Sequence, residues 1–144
     1  MIPRIVPDVN VFLSGTTISK HAPSQIIQAW RKDQVEIITS WPILVDLRKA
    51  AAYPKVQKFT HMSEPEIDNF VNLISESATL VPGTTSVSVS LDSDDNKLFS
   101  CALEASADYI VSMDKKHVLN VKEFQGIKTI HPTDFVRKVL KRRH

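Results

Sequence analysis

The chain has 144 residues, 42% of them hydrophobic and 24% charged, which is the size and make-up of one ordinary globular domain. No run approaches the roughly 20 apolar residues that span a bilayer, and the single cysteine, Cys101, excludes an internal disulfide and a thiolate metal cluster. The formal net charge is only +2, yet Arg137, Lys138, Lys141, Arg142 and Arg143 crowd five cations into the C-terminus, leaving an acidic body that suits a protein holding a cation and meeting phosphate beside it.

Taken in order, residues 2–6 read as a first strand, with Pro3 and Pro7 awkward for a central one. Ser24 is placed to cap a helix whose Ile26, Ile27 and Trp30 share a face. Residues 35–39 form a second strand, and Pro42 suits the first turn of a helix carrying Leu44, Leu47 and Ala51 until Pro54 stops it. Ser63-Glu64-Pro65-Glu66 is a capping box, and Ile67, Phe70, Val71 and Ile74 continue it as an amphipathic stripe. Residues 78–81 are strand-like, Pro82-Gly83 marks a turn, and residues 87–91 suggest another short extended piece. A helix opens near Asp94 and runs through Leu98, Ala102 and Ala105, and Cys101 within it reads as a buried, inert core residue. Strands follow at residues 108–112 and 127–130, and Pro132 opens a final helix with Phe135, Val136 and Leu140.

Alternating strands and helices without repeat or linker make residues 1–144 one α/β domain with a mostly parallel sheet, residues 132–144 forming its basic C-terminal helix and tail. The chain opens on a strand-like run rather than a basic segment and a long apolar one, so a cytoplasmic location is expected, with no membrane association.

Acidic residues recur where the apolar runs stop. Ile5-Val6-Pro7 runs into Asp8, Val87-Ser88-Val89 into Asp92-Ser93-Asp94-Asp95, and Tyr109-Ile110-Val111 into Asp114; Asp46 follows residues 36–39 by about two helical turns. In a parallel sheet those carboxyl ends share one edge, where open α/β folds place their sites. Carboxylates converging there repel one another unless a divalent cation neutralises them, which points to Mg²⁺ or Mn²⁺ and to chemistry on phosphate. Each taken singly also fits a plainer role. Asp8 suits a turn cap, Asp95 or a neighbour an N-cap, Asp114 a surface charge beside Lys115, Lys116 and His117, and Asp46 an exposed helix position. The five histidines are scattered and form no metal or catalytic pattern.

Asp8-Val9-Asn10-Val11 resembles the opening motif of PIN domains, and the stretch from Asp92 to Lys115 is similar to the core motif of the toxin branch of that family. Thr39-Ser40 with the acidic helix after it, then Tyr53-Pro54-Lys55, resembles the same branch. The resemblance implies a Rossmann-like three-layer α/β/α sandwich and an endoribonuclease dependent on Mg²⁺ or Mn²⁺. It also implies a toxin of VapC type, inhibited by a cognate antitoxin protein, and relatives often form homodimers. The acidic quartet carries over to Asp8, Asp46, Asp95 and Asp114 as catalytic and metal-binding residues. Asn10 and Ser112 match supporting polar positions, with Asp92 and Asp94 as auxiliary ligands or loop caps. Lys97, Lys115 and Lys116, with the basic tail, are the candidate contacts to RNA. Two departures stand out: Val9 where threonine is usual, and Asp46 where the longer glutamate is usual. These keep alive a second reading, a PIN-like module that binds RNA or an antitoxin with little or no cleavage. A receiver-like or phosphatase-like domain also gathers aspartates at a strand edge, but Lys128 is a poor fit to the lysine it needs.

Overall fold

Each central strand turns alternate side chains to opposite cores, as the period of two requires. In β1 (Arg4–Pro7) Ile5 joins one apolar cluster and Val6 the other, in β2 (Glu36–Ser40) Ile37 and Ile38 divide likewise, and in β4 (Tyr109–Val111) Val111 and Ile110 do. Both faces of the sheet are therefore covered, which explains why these strands read as continuous apolar runs. The computed structural model describes residues 2–16 and 20–141; Arg142 and Arg143 of the basic tail lie outside them.

The sheet has six strands in the order β3-β2-β1-β4-β6-β5, parallel throughout except for the antiparallel pair β5–β6 at one edge. Here β3 is Thr79–Val81, β5 Glu123–Phe124 and β6 Ile127–Ile130. On one face lie α1 (Val9–Ser14), α2 (Ala22–Arg31), α3 (Trp41–Ala51), α5 (Glu64–Ser77) and α7 (Pro132–Phe135), with short α4 (Pro54–Thr60) packed at the end of α3. The other face is covered by α6 (Ser93–Ala105), whose Leu98, Phe99, Cys101 and Ala102 pack on Val6, Ile38 and Ile110. This is the expected three-layer α/β/α sandwich. Among the described residues no helix is long and apolar enough to cross a membrane.

Most local expectations hold, with shifts of one or two residues. Ser63 and Glu66 form the reciprocal capping box: the Ser63 N–H donates to Glu66 Oε1 at 3.0 Å and the Glu66 N–H to Ser63 Oγ at 3.3 Å. The proline difficulty in β1 resolves at its ends. Pro7 is the last residue of this central strand and Pro3 precedes it, so neither removes a ladder donor from its middle. The second helix starts earlier than Ser24, with the His21 ring accepting from the Ser24 N–H. Pro54 ends α3 but also opens α4, because its fixed φ suits a first helical position as well as a stop. Residues 87–91 are not a strand: Val87 and Val89 pack into the α6 core, while the N–H groups of Val89 and Ser90 donate to the Asn96 side chain. After Phe135 the last helix widens into one π-type turn, Val136–Leu140.

Candidate metal centre

The sheet reverses its winding between β1 and β4, since β2 and β3 lie on one side of β1 while β4 and β6 lie on the other. At such a switch point the loops after the two strands diverge and leave a crevice. Register fixes what meets there. Pro7 pairs with Val111, so Asp8 and Ser112, the next residues, stand side by side, and the Asp8 N–H donates to the Val111 carbonyl at 2.9 Å. The Ser112 hydroxyl, fully buried, donates to Asp8 Oδ2 at 2.9 Å and accepts from the Asp114 N–H at 3.0 Å. One hydroxyl thus ties the Asp8 carboxylate to the Asp114 backbone.

Asp95 comes from the opposite side, on the first turn of α6, where free N–H groups and the helix dipole favour an anion. It is only 8% exposed, and its Oδ2 is buried without a hydrogen-bond partner among the described residues. Burial, then repulsion from Asp92, Asp114 and Asp8, raises its carboxyl to about 6, with His117 acting the other way. Asp8 is raised too, chiefly by burial, against the Ser112 hydroxyl and the backbone N–H groups of Val9 and Asn10. Asp114 differs: burial would raise it, but the His117 backbone and ring and the Lys116 N–H hold it below its usual value. Those N–H groups donate to Asp114 Oδ1 at 2.9 and 3.0 Å, and the ring Nδ1 lies 3.3 Å from Oδ2.

Asp95, Asp114 and His117 offer ligand atoms that all lie within 4.8 Å of one another, and Asp8 adjoins them closely enough to raise Asp95. An unpartnered buried carboxylate oxygen within a ring of like charges is the deficit that a cation corrects. Carboxylate oxygens with one imidazole suit a divalent cation, so the residues present fit such a group.

The remaining residues divide. Asp46 shares a cleft of about 340 Å³ with Asp8, Asp95, Lys49 and Tyr53, but its Oδ2 accepts from Lys97 Nζ at 2.7 Å, and Lys97 also reaches Asp94 at 3.0 Å. Burial opposes that ammonium's charge, yet the two carboxylates hold its pKa above the ordinary value. Asp92 is the N-cap of α6, accepting from the Asp94 N–H, so its observed contact is a cap. Asn10 is exposed on α1, and its share in the site is the backbone N–H near Asp8. Lys115 and Lys116 are exposed immediately after Asp114. Burial, Glu104 and the Ser40 hydroxyl together leave the Cys101 thiol raised to about 12, in keeping with an inert core residue. His117 was missed among the scattered histidines, though its place three residues after Asp114, in a turn, was a usable signal. A second cavity, about 570 Å³ and lined by Phe12, Ile27, Trp30, Phe70 and Leu73, holds none of these acidic residues.

A parallel α/β sandwich with a carboxylate centre at its switch point defines the class: a fold with an acidic site fitted to a divalent cation. The PIN domain family model matches residues 4–116, and the chain belongs to that family, whose members are generally divalent-metal-dependent nucleases. No curated protein matches the chain. Among solved structures it is similar to the crystal structure of VapBC2 from Rickettsia felis bound to a DNA fragment from their promoter. That match has TM-score 0.60 and 9% identity and covers 89% of this chain and 98% of the other. The chain is also similar to the T. brucei RRP44 PIN domain, with TM-score 0.50 and 12% identity, over 99% of this chain and 84% of that one. At these identities the likeness is one of fold.

Proposed function

We propose that this protein is an endoribonuclease dependent on Mg²⁺ or Mn²⁺ that hydrolyses phosphodiesters of single-stranded RNA, acting in the cytoplasm as the toxin of a toxin–antitoxin pair. The observation that carries the reading is that Asp8 and Asp114 lie close enough to repel Asp95 while the Asp95 Oδ2 is buried without a hydrogen-bond partner among the described residues. Those three, with His117 beside them, would hold the ion. When bound, it supplies an activated water and stabilises charge on the leaving oxygen. Ser112 fixes the Asp8 carboxylate and the Asp114 backbone from behind, the role that outer hydrogen bonds play at metal sites. Lys115 and Lys116, exposed beside Asp114, would meet the phosphate backbone. Family membership supports the nuclease reading, and the motif resemblance supports the toxin role and a cognate antitoxin as inhibitor, with a homodimer as the expected assembly.

The test is cleavage of single-stranded RNA with Mg²⁺ or Mn²⁺, compared with EDTA and with Asp95→Asn. Activity is expected with either ion, none with EDTA, and a loss of about a hundredfold or more in the variant. Unchanged cleavage by Asp95→Asn would overturn the assignment. A second reading, a PIN module that binds RNA or an antitoxin without cutting, draws on the ion pair that engages Asp46. RNA binding without cleavage under either metal would favour it.

A further inference from the structure

We propose that Lys97 is a built-in cation that neutralises the Asp46 end of the cleft, so that the centre takes a single divalent ion, held by Asp8, Asp95 and Asp114. The inference rests on the metal-dependent reading above and assigns Lys97 a positioning role rather than contact with the reacting atoms.

Helical spacing sets the arrangement. Asp94 and Lys97 are three apart on α6 and share a face, whereas Asp95 lies about 200° around the helix from Lys97 at roughly 100° per residue. Asp95 is therefore turned to the group with Asp114 and His117, and Lys97 toward α3, where Asp46 waits. The Lys97 ammonium donates to Asp46 Oδ2 at 2.7 Å and to Asp94 Oδ1 at 3.0 Å. The pair is partly withdrawn from water, with the Lys97 and Asp46 side chains 33% and 23% exposed, so it is less screened than a surface bridge. An ion ligated to the same Asp46 oxygen, at roughly 2.1 Å for Mg²⁺, would stand against the ammonium, like charge beside like charge. Among the described residues no cation bridges the Asp8, Asp95 and Asp114 side in the same way: the ring of His117 meets Asp114 there, and Asp95 Oδ2 has no hydrogen-bond partner. The cleft thus has a compensated end and an uncompensated one. The shorter reach of aspartate at position 46 fits the compensated end, because Lys97 spans the gap.

The experiment counts Mn²⁺ ions bound per full-length chain, by calorimetry or by the resonance of free aquo-Mn²⁺, with folding checked by circular dichroism. Wild type is expected to bind one ion. Lys97→Met is expected to bind two, the added one more weakly, because Asp46 and Asp94 are released; Lys97→Arg, which keeps the charge, stays at one. Adding Asp46→Asn to Lys97→Met is expected to restore one, which an ion pair of purely structural value would not produce. If Lys97→Met does not fold, Lys97→Gln makes the same measurement. Two ions in wild type, or one in a folded Lys97→Met, overturn the proposal and leave the metal-dependent reading standing. No Mn²⁺ bound by wild type overturns both.

Discussion

Asp95 sets an opposition between function and stability at one residue. Its carboxylate is buried among like charges, so the folded protein holds its proton up to about pH 6, whereas the ordinary aspartate value is 3.8. Between those two pH values the native state binds more protons than the unfolded chain, and this contribution to stability is lost as pH rises. Asparagine is neutral throughout and escapes that loss. In EDTA, Asp95→Asn is therefore expected to melt roughly 3–6 °C above wild type at pH 7.5, for about 1–2 kcal/mol after solvent screening. The two are expected to converge near pH 4. Thermal melts across this range decide it, and a variant no more stable than wild type at neutral pH would show that Asp95 is not strained. Asparagine also removes the repulsion that Asp95 shares with Asp8 and Asp114, so the difference between the melts reports Asp95 together with its coupling to those two carboxylates. Loaded with Mn²⁺ the order is expected to reverse, because the same carboxylate then becomes a ligand.

The element that places the acidic cluster is α6, and one of its faces is a ladder for the loop before it. Asn96, Ser100 and Glu104 recur every four residues. Glu104 accepts from the N–H groups of Gly83 and Thr85, each at 2.7 Å. Ser100 donates to the Thr85 carbonyl at 2.6 Å, and Asn96 accepts from Val89 and Ser90 while donating to the Ser90 carbonyl at 2.8 Å. Gly83 has φ +72°, and a Cβ there would meet the Ser40 and Pro42 side chains at 2.9 Å, so that turn also needs glycine. Asn96→Ala removes three bonds and leaves half-buried partners, an expected loss of about 1–2 kcal/mol, with weaker Mn²⁺ binding because the adjoining Asp95 shifts. Ser63→Ala breaks the capping box of α5 for about 1 kcal/mol and is expected to leave Mn²⁺ affinity unchanged. Equal effects on the ion from both would mean that the ladder does not position the site. The two features also differ in legibility. A capping box is local and announces itself in four residues, whereas Val87-Ser88-Val89 alternates like a strand. Its backbone donors are claimed by a side chain several residues on, which no periodicity reveals.

For the whole molecule, what the sequence shows is the ends of the strands, and what it hides is their order. Asp8 and Asp114 were legible because each closes an apolar run, and the family motif tied Asp95 to them. That Ser112 would lock Asp8 and Asp114 together depends on β1 and β4 being neighbours in register, a long-range pairing absent from any local pattern. The Lys97 bridge to Asp46 was hidden for the same reason, since it joins α6 to α3 across the cleft. This long-range assembly has a thermodynamic consequence. The ligands come from the end of β1, the start of α6 and the loop after β4, so the site exists only when the sheet and α6 are docked. An ion that binds the folded chain alone stabilises the entire domain. At a hundredfold excess over its dissociation constant the gain is about 2.7 kcal/mol, or roughly 5–10 °C in the midpoint for a domain of this size. Thermal melts with Mn²⁺ and with EDTA measure it, and the shift is expected to fall sharply in Asp8→Asn and to persist in Lys115→Ala, whose side chain is exposed. A midpoint indifferent to Mn²⁺ would mean that the three carboxylates do not form a metal site, however well the fold brings them together.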